Sequence, residues 1–241
     1  MQAINRRQGL ALAAGLALQA GVARASAQTA GARYMYDYLF LDLAPASGSP
    51  PRAALAARFN AVDRPAIAAA GGEVVAAFAP QLGWNSTEMA LLLRWRDAGA
   101  AREAVVQALM KAAPVASGAR HILRPTVRPA GSEVPFAGGI YVHRWFEVEA
   151  DSLAEFLTLS QEGWRDFEPR FEAKVFGLFE ATRTKADRAA GVTRLLLMTR
   201  YRDHGVWEQS RDPTTAGMAA FARRQRLTRH SRGASTLLTA L

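Results

Sequence analysis

One short pattern ends a strand-like stretch twice in this chain: Leu92-Leu93-Arg94-Trp95-Arg96-Asp97 and, about a hundred residues later, Met198-Thr199-Arg200-Tyr201-Arg202-Asp203. Each copy places two arginines around an aromatic residue and ends in an aspartate, a residue type that commonly caps a following helix. Similarity at a fixed spacing is typical of a chain built from two copies of one unit. The repeat therefore predicts two related halves.

The secondary structure predicted around the two copies has the same order. In the first half, strand, helix, strand, strand, helix and strand are predicted at residues 34–43, 52–70, 74–78, 89–96, 98–113 and 120–126. In the second half, the same order is predicted at residues 140–149, 152–164, 175–182, 192–202, 214–229 and 235–241. Residues 127–139 contain prolines and glycines and are predicted to be a linker. The predicted units are thus residues 28–126 and 140–241.

A βαββαβ unit forms a four-stranded antiparallel sheet with both helices on one face, which leaves the other face uncovered. A second unit in the same chain covers it by packing sheet against sheet. The first strand supports this arrangement, since Leu39 and Leu41 alternate with Tyr38 and Phe40 and both faces carry large side chains. The predicted fold class is α+β, with tandem ferredoxin-like units forming an intramolecular, pseudo-dimeric α/β barrel.

The composition excludes several kinds of chemistry. None of the 241 residues is a cysteine, so disulfides, iron–sulfur clusters, thiolate nucleophiles and Cys-ligated zinc are ruled out. Four scattered histidines leave little for a metal centre, and no cofactor or metal is predicted. The formal charge of +9 is carried mostly by arginine, and no recognisable nucleic-acid-binding motif accompanies it. Nucleic acid is therefore not a predicted partner.

The amino terminus is predicted to be a targeting segment. Arg6 and Arg7 precede an apolar run at residues 9–22, and Ala25-Ser26-Ala27 follows as a cleavage site, which together indicate a signal peptide at residues 1–27. The paired arginines resemble a twin-arginine signal, with the ordinary secretory route as the alternative. The apolar run is too short and too rich in Ala and Gly for a stable membrane span. The mature protein is therefore expected in the periplasm or outside the cell, without stable membrane insertion.

Each half resembles the NIPSNAP family of the dimeric α/β-barrel, or ferredoxin-like, superfamily. In the stretch 141–148, Arg144 and Phe146 fall where that family commonly has an arginine and an aromatic residue. The two strand ends quoted above resemble its aromatic-x-Asp corner, residues 71–75 resemble the glycine before its second strand, and residues 122–125 resemble its closing strand. Tyr38 replaces the family arginine in the first half, and Glu172-Ala173 replaces the glycines in the second.

The resemblance implies a ligand in the barrel or in a cleft, and it implies that Arg144 and Phe146 point inward. Related barrels include cofactor-free monooxygenases, lactone isomerases and haem-dependent peroxidase-like enzymes. A haem protein is the less favoured of these for this chain, because only His143 lies on a strand that presents an axial ligand. One fold hosts many functions, so the resemblance alone assigns no reaction.

The catalytic candidate is His143, which shares a strand face with Tyr141, Trp145 and Glu147, so that a proton carrier lies beside aromatic rings. The alternative is that these residues pack under the outer helices or at an edge. Candidate ligand-binding residues are Tyr36, Tyr38, Arg94, Arg144, Trp145, Phe146 and Arg200. The tyrosines line either a ligand or a core, and the arginines either clamp an anion or pair with nearby acids.

The sequence thus predicts an exported protein of unknown activity that binds a small, partly apolar or anionic molecule in an α/β barrel. Two alternatives stay open. A cofactor-free monooxygenase or isomerase would need His143, Tyr36 or Tyr38 to converge on a cavity. A structural or interaction protein would have its barrel filled by side chains such as Tyr38, Phe40, Trp145 and Phe146. Association of the chain into a homo-oligomer is compatible with each of them.

Overall fold

The computed structural model describes residues 34–45, 50–96, 99–131 and 133–241. The predicted signal peptide and the predicted helix cap Asp97 lie outside these residues. The first half contains β1 Met35–Leu43, α1 Pro51–Arg58, a π-helical segment Phe59–Asp63, α2 Arg64–Ala69, β2 Gly72–Leu82, β3 Glu88–Trp95, α3 Ala100–Lys111 and β4 Val115–Arg128. The second half contains β5 Ile140–Glu149, a 3-10 turn Ala150–Ser152, α4 Leu153–Arg170, β6 Ala173–Ala181, α5 Lys185–Ala189, β7 Val192–Tyr201, α6 His204–Gln209, α7 Ala216–Gln225 and β8 Thr228–Leu238.

Several elements differ from the sequence prediction, and the differences among the helices have local reasons. The helix expected at residues 52–70 is interrupted by the π-helical segment, where the backbone N–H of Arg64 reaches the Phe59 carbonyl and Pro65 then follows without an N–H of its own. The helix expected at residues 214–229 ends at Gln225, because residues 228–238 form β8 and pair with β5. Helices α5 and α6 were not predicted, since five or six residues carry too little periodicity to be recognised.

The eight strands of the described chain form a closed barrel in the order β1-β3-β2-β8-β5-β7-β6-β4. Within each half, the first and third strands are central. The halves are joined at both edges, where β2 pairs with β8 and β4 pairs with β6, each antiparallel. Closure leaves no open sheet edge and covers the face that a single unit would expose. The predicted fold class is therefore confirmed.

The strand registers show how the two halves correspond. Tyr38 on β1 lies opposite Leu92 and His121, and His143 on β5 lies opposite Met198 and Ala234. Because Leu92 and Met198 begin the repeated sequence pattern, Tyr38 and His143 occupy equivalent positions. β1 and β5 are four strands apart in an eight-stranded barrel, so these two residues face each other across its interior.

Side chains alternate between the barrel interior, called the lumen below, and the outer face beneath the helices. The lumen is lined by aromatic and aliphatic side chains of both halves, among them Tyr36, Tyr38, Phe78, Leu92, Tyr141, Phe179 and Met198. The outer face of the first half packs a separate apolar cluster under α1, α2 and α3. In the second half the outer face packs under α4 and α7. No helix among the described residues is long and apolar enough to cross a membrane.

The inward orientation expected for Arg144 and Phe146 is wrong. Phe146 packs on the outer face, with its ring 5.1 Å from that of Phe156 on α4, and Arg144 lies on the same face. The physical reason is the two-residue period of a strand, since His143 and Trp145 point into the lumen and their immediate neighbours must point away from it.

Candidate ligand site at the barrel mouth

The lower end of the lumen, where β1 and β5 begin, is filled by side chains. The rings of Tyr36 and Phe179 lie 5.1 Å apart, and those of Phe78 and Tyr141 lie 5.5 Å apart, in edge or tilted contacts. Tyr36, Phe78, Tyr141 and Phe179 are all fully buried. This half of the lumen is therefore a packed core.

A chain of hydrogen bonds crosses the lumen above this core. The Tyr38 hydroxyl lies 2.8 Å from Nδ1 of His143, whose Nε2 lies 3.2 Å from Oγ1 of Thr236. Thr236 donates its hydroxyl hydrogen to the backbone carbonyl of Tyr141 at 3.1 Å. Because that hydrogen is used, Thr236 accepts from His143, which places the imidazole proton on Nε2 and makes Nδ1 the acceptor for Tyr38. Each hydrogen bond from Tyr38 through His143 and Thr236 to the Tyr141 carbonyl thus has a defined donor and a defined acceptor.

Burial keeps both members of the central pair neutral. Desolvation lowers the pKa of His143 to about 3, and the same effect raises the pKa of the Tyr38 hydroxyl well above its ordinary value, against a lowering contribution from Arg232. His121, opposite Tyr38 on β4, has its pKa lowered to about 4 by burial and by Arg194 and Arg232. The floor of the site is therefore uncharged at neutral pH.

Above the Tyr38–His143 pair the lumen opens into a cavity of about 410 Å³, called the barrel mouth below. Its walls are largely aromatic: the Trp84 ring lies 5.3 Å from His143 and 5.0 Å from Phe40, and the Trp145 ring lies 5.8 Å from Tyr38 and 4.6 Å from His121. Glu88 and Arg232 also line it. A smaller recess shares His121, Trp145 and Arg232 and adds Phe146, Glu147, Arg194 and His230. The barrel is thus filled below the pair and open above it.

The structure brings together three of the residues singled out from the sequence: Tyr38, His143 and Trp145 all line the barrel mouth. Tyr36 lies in the packed lower half of the lumen. Arg144 and the ring of Phe146 lie on the other side of the sheet, and Phe146 also borders the smaller recess. Their roles in binding or catalysis stay predictions.

The two matching arginines lie at the lower end of the barrel, away from the mouth. Arg94 forms an ion pair with Glu73, and its guanidinium lies 4.8 Å from the ring centroid of Tyr34. Arg200 donates from Nε to the Gly138 carbonyl at 3.2 Å. Both side chains therefore already have partners within the chain.

Sequence reasoning missed Trp84, His121 and Thr236 as parts of this site. Trp84 lies in the turn between β2 and β3, and the other two lie on edge strands of their units. His121 reaches the mouth through its pairing opposite Tyr38, and Thr236 reaches His143 through the pairing of β8 with β5. Of these three residues, only His121 had a local sequence signal, because it lies on a predicted strand whose side chains alternate between two faces.

Metal or haem chemistry would require free ligand atoms near the barrel mouth. Within the described part of the chain, no group of three or more His, Asp or Glu side chains is arranged to hold a metal ion. Both ring nitrogens of His143, the candidate axial ligand, are hydrogen bonded. The centroid of the Phe78 ring lies 4.5 Å from that of the His143 ring. Neither nitrogen is left for iron, so His143 does not fit an axial haem ligand.

Comparison with known proteins supports the fold. No protein-family model and no curated protein matches the chain. Among solved structures, a mutant chlorite dismutase from Candidatus Nitrospira defluvii is 10% identical, with a TM-score of 0.58 over 86% of this chain and 92% of that one. A monooxygenase candidate from Lactobacillus acidophilus is 10% identical, with a TM-score of 0.51 over 85% and 93%. An anthrone oxidase-like protein is 10% identical, with a TM-score of 0.50 over 86% and 92%.

At this level of identity the likeness shows a shared fold. The chain shares an α/β-barrel fold with these proteins, and in this protein one chain supplies both halves of the barrel.

Proposed function

We propose that the barrel mouth binds a small, neutral aromatic molecule that carries a hydroxyl group. The observation that carries this proposal is the Tyr38–His143 hydrogen bond at the floor of an aromatic-walled cavity. Ligand pockets commonly combine mostly apolar walls with a few fixed polar groups, and a volume of about 410 Å³ suits a molecule of two or three fused rings.

The direction of the hydrogen-bond chain determines what the floor offers a ligand. Tyr38 donates its own hydrogen to His143, so the free lone pair of its oxygen accepts a hydrogen from the ligand hydroxyl. A neutral partner is favoured, because an anion at this floor would meet uncharged groups in a desolvated place. The rings of Phe40, Trp84 and Trp145 supply edge and face contacts to an aromatic body.

The test is isothermal titration calorimetry of the purified protein with 2-naphthol. We expect saturable binding that Tyr38→Phe weakens by about tenfold, the equivalent of one lost hydrogen bond. Tyr141→Phe is the matched control, because its hydroxyl is buried in the packed lower half of the lumen. Near-UV circular dichroism checks that each variant keeps its fold. Absence of binding to the unchanged protein, or equal affinities for all three proteins, would overturn the proposal.

A second candidate function is oxidation of such a ligand by O2 without a cofactor. It is favoured by the structural neighbours described as a monooxygenase candidate and an anthrone oxidase-like protein. With anthrone as the probe, whose enol tautomer carries the required hydroxyl group, the reaction would turn its CH2 carbon into a carbonyl with one oxygen atom of O2 and release the other as water, giving anthraquinone. An oxygen electrode should record uptake above that of heat-inactivated protein, and His143→Gln should lower it. No uptake would leave binding as the function of the mouth.

Two finer assignments accompany this proposal. The NIPSNAP resemblance is supported by the repeated strand-end pattern, now seen at equivalent places of the two halves, where β3 and β7 end. Export through the twin-arginine route is supported by Arg6, Arg7 and the apolar run that follows them. A ligand taken up at the barrel mouth would then be met outside the cytoplasm.

A further inference from the structure

A second cavity, called the helix-side cavity below, lies on the outer face of the sheet and has a volume of about 340 Å³. It is bounded by β5, β6 and β7 on one side and by α4, α7 and the segment before α7 on the other. The sheet separates it from the lumen, since its strand residues, such as Val142 and Leu197, alternate with lumen residues. The two cavities therefore lie on opposite faces of the sheet.

Three arginines line the helix-side cavity: Arg144, Arg211 and Arg224. Arg211 donates to the Tyr201 hydroxyl at 3.0 Å and to Oγ of Ser210 at 2.9 Å. Arg224 donates to Oγ of Ser160 at 3.2 Å. None of the three forms an ion pair with a carboxylate among the described residues. Three positive charges thus share one cavity that the described carboxylates leave unneutralised.

Arg224 is exceptional within the described part of the chain. Three arginines there are buried. Arg94 pairs with Glu73 and Arg102 pairs with Asp37, whereas Arg224, which is 5% exposed, pairs with no carboxylate. Its guanidinium lies among the rings of Phe146, Phe156 and Phe221, at 5.0, 5.2 and 4.6 Å from their centroids. Folded proteins rarely keep a buried charge without a partner, because its desolvation is then uncompensated.

The electrostatics of the cavity agree with this geometry. Burial, followed by repulsion from Arg144 and Arg211, lowers the pKa of Arg224 to about 9. Burial, followed by repulsion from Arg211, also lowers the pKa of Arg144. An anion in the cavity would relieve both effects.

The first half of the chain serves as an internal comparison. The position equivalent to Arg144 is Leu39, and those equivalent to Thr199 and Tyr201 are Leu93 and Trp95. All three first-half residues are at most 1% exposed, and they pack with Val106 and Leu109 of α3 in one apolar cluster. The first half therefore fills this space with apolar side chains and the buried Arg102–Asp37 ion pair, whereas the second half has an unpaired arginine and a cavity there.

The acids nearest in sequence to the cavity elements are already engaged. Asp166 on α4 pairs with Arg170 and accepts from the backbone N–H of Gly217, and Glu162 pairs with Arg223. Asp212 accepts from the backbone N–H and the hydroxyl of Thr214. No described carboxylate forms an ion pair with Arg144, Arg211 or Arg224, so an anion from outside the described chain would supply the neutralising charge. We propose that the helix-side cavity is a binding site for a small amphiphilic carboxylate, whose acid group meets Arg144, Arg211 and Arg224.

The walls determine the rest of the ligand. Trp164, Phe167, Leu197, Met218 and Phe221 line the cavity, so the body that follows the carboxylate is apolar. An inorganic anion would satisfy the arginines and leave these walls uncovered. Aromatic acids and fatty acids share the required chemistry, and the experiment distinguishes them.

Calorimetric titration of the purified protein with 2-naphthoate and with octanoate tests the proposal. We expect at least one of the two to bind, and its affinity to fall by about tenfold or more in Arg144→Leu and in Arg224→Gln. Arg144→Leu introduces the side chain that Leu39 supplies in the first half, so we expect the fold to be kept and the melting temperature without ligand not to fall. Arg223→Met is the matched control, because Arg223 neighbours Arg224 in sequence but does not line the cavity.

Charge and location have their own controls. Neutral 2-naphthamide should bind more weakly than 2-naphthoate by a similar factor, because it lacks the carboxylate. Tyr38→Phe, which removes the polar floor of the barrel mouth, should leave carboxylate binding in place, so the two proposals succeed or fail separately. The inference would be overturned if neither acid bound at millimolar concentration, or if Arg144→Leu and Arg224→Gln bound them as the unchanged protein does.

Discussion

Tyr38 and His143 occupy equivalent positions in the two halves and meet across the lumen at 2.8 Å. Two identical residues at such positions would present the same group to each other. A tyrosine and a neutral histidine present a donor and an acceptor, and Thr236 then selects the histidine tautomer. Because the two halves have different residues at this one position, one half supplies the hydrogen-bond donor and the other supplies the acceptor.

The burial of His143 predicts a pH dependence of stability. Its pKa is about 6.5 in the unfolded chain and about 3 in the folded one, so the unfolded state binds more protons between these values. The contribution is fully present above pH 6.5 and is lost by about 1.4 kcal/mol for each pH unit as the pH falls toward 3. His121 acts in the same direction, down to about pH 4.

Urea unfolding at pH 7, 6 and 5 measures this effect. We expect the free energy of unfolding to fall with pH and His143→Gln to remove about half of the slope, since His121 supplies the other part. A slope unchanged in His143→Gln would show that His143 binds as many protons in the folded protein as in the unfolded chain, which contradicts the lowered pKa.

Tyr141 predicts a stabilising substitution. Its hydroxyl is buried and has no hydrogen-bond partner among the described residues, and burial raises its pKa to about 12. Removing it in Tyr141→Phe should raise the free energy of unfolding by up to about 1 kcal/mol, whereas Tyr38→Phe should lower it by about 1–3 kcal/mol because Nδ1 of His143 loses its donor. Chemical denaturation of the two variants side by side measures both signs, and a loss of stability in Tyr141→Phe would contradict the first.

At the scale of elements, a buried ion network ties α3 to the sheet of the first half. Asp37 on β1 is fully buried and accepts from Arg102 on α3 at 2.9 Å with each carboxylate oxygen, and from Nε of Arg120 on β4 at 2.7 Å. The equivalent residue in the second half is Val142, which faces the helix-side cavity. Each half therefore solves the packing of its second helix in a different way.

The network predicts a large loss from a small change. Asp37→Asn keeps the shape of the side chain but leaves Arg102, 4% exposed, without its charge partner, so the free energy of unfolding should fall by about 3–5 kcal/mol. Asp203→Asn is the control, because its ion pair with Arg202 is exposed and should contribute about 1 kcal/mol or less. Similar losses in both variants would argue against the network.

The entry to β5 depends on a glycine pair. Gly139 has a φ of +80°, and a Cβ there would lie 2.2 Å from the backbone carbonyl oxygen of Tyr201. Gly138 has a φ of +70° but open space around it. Gly139→Ala should therefore destabilise the protein by more than Gly138→Ala, which should cost about 1 kcal/mol from backbone strain alone. Thermal unfolding of the two variants compares them, and equal losses would show that the close approach to Tyr201 relaxes easily.

At the scale of the whole molecule, each half covers the face that the other would expose. The two edge pairings, β2 with β8 and β4 with β6, close the barrel and bring Thr236 of the last strand to the floor of the mouth. The two halves also differ in the packing between sheet and helices. The first half has a filled helix side, and the second has the arginine-lined cavity.

The predicted export route also concerns the whole molecule. If Arg6 and Arg7 form a twin-arginine signal, Arg6→Lys together with Arg7→Lys should abolish appearance of the protein in the periplasm of a bacterial host, because that route requires the arginine pair while the ordinary secretory route accepts any basic start. Cell fractionation with immunoblotting measures it. Unchanged export of the double variant would identify the ordinary secretory route.

The sequence by itself determined the order of the main elements, the tandem repeat and the barrel, because these follow from local periodicity and from a pattern written twice. It also singled out Tyr38, His143 and Trp145, which lie together at the barrel mouth. Which face of β5 looks inward was decided only by the tertiary structure, since a shift of one residue exchanges the faces and reverses the places of His143 and Arg144. His121, Thr236 and the cluster of Arg144, Arg211 and Arg224 likewise depend on pairing between segments far apart in the chain, which no local pattern encodes.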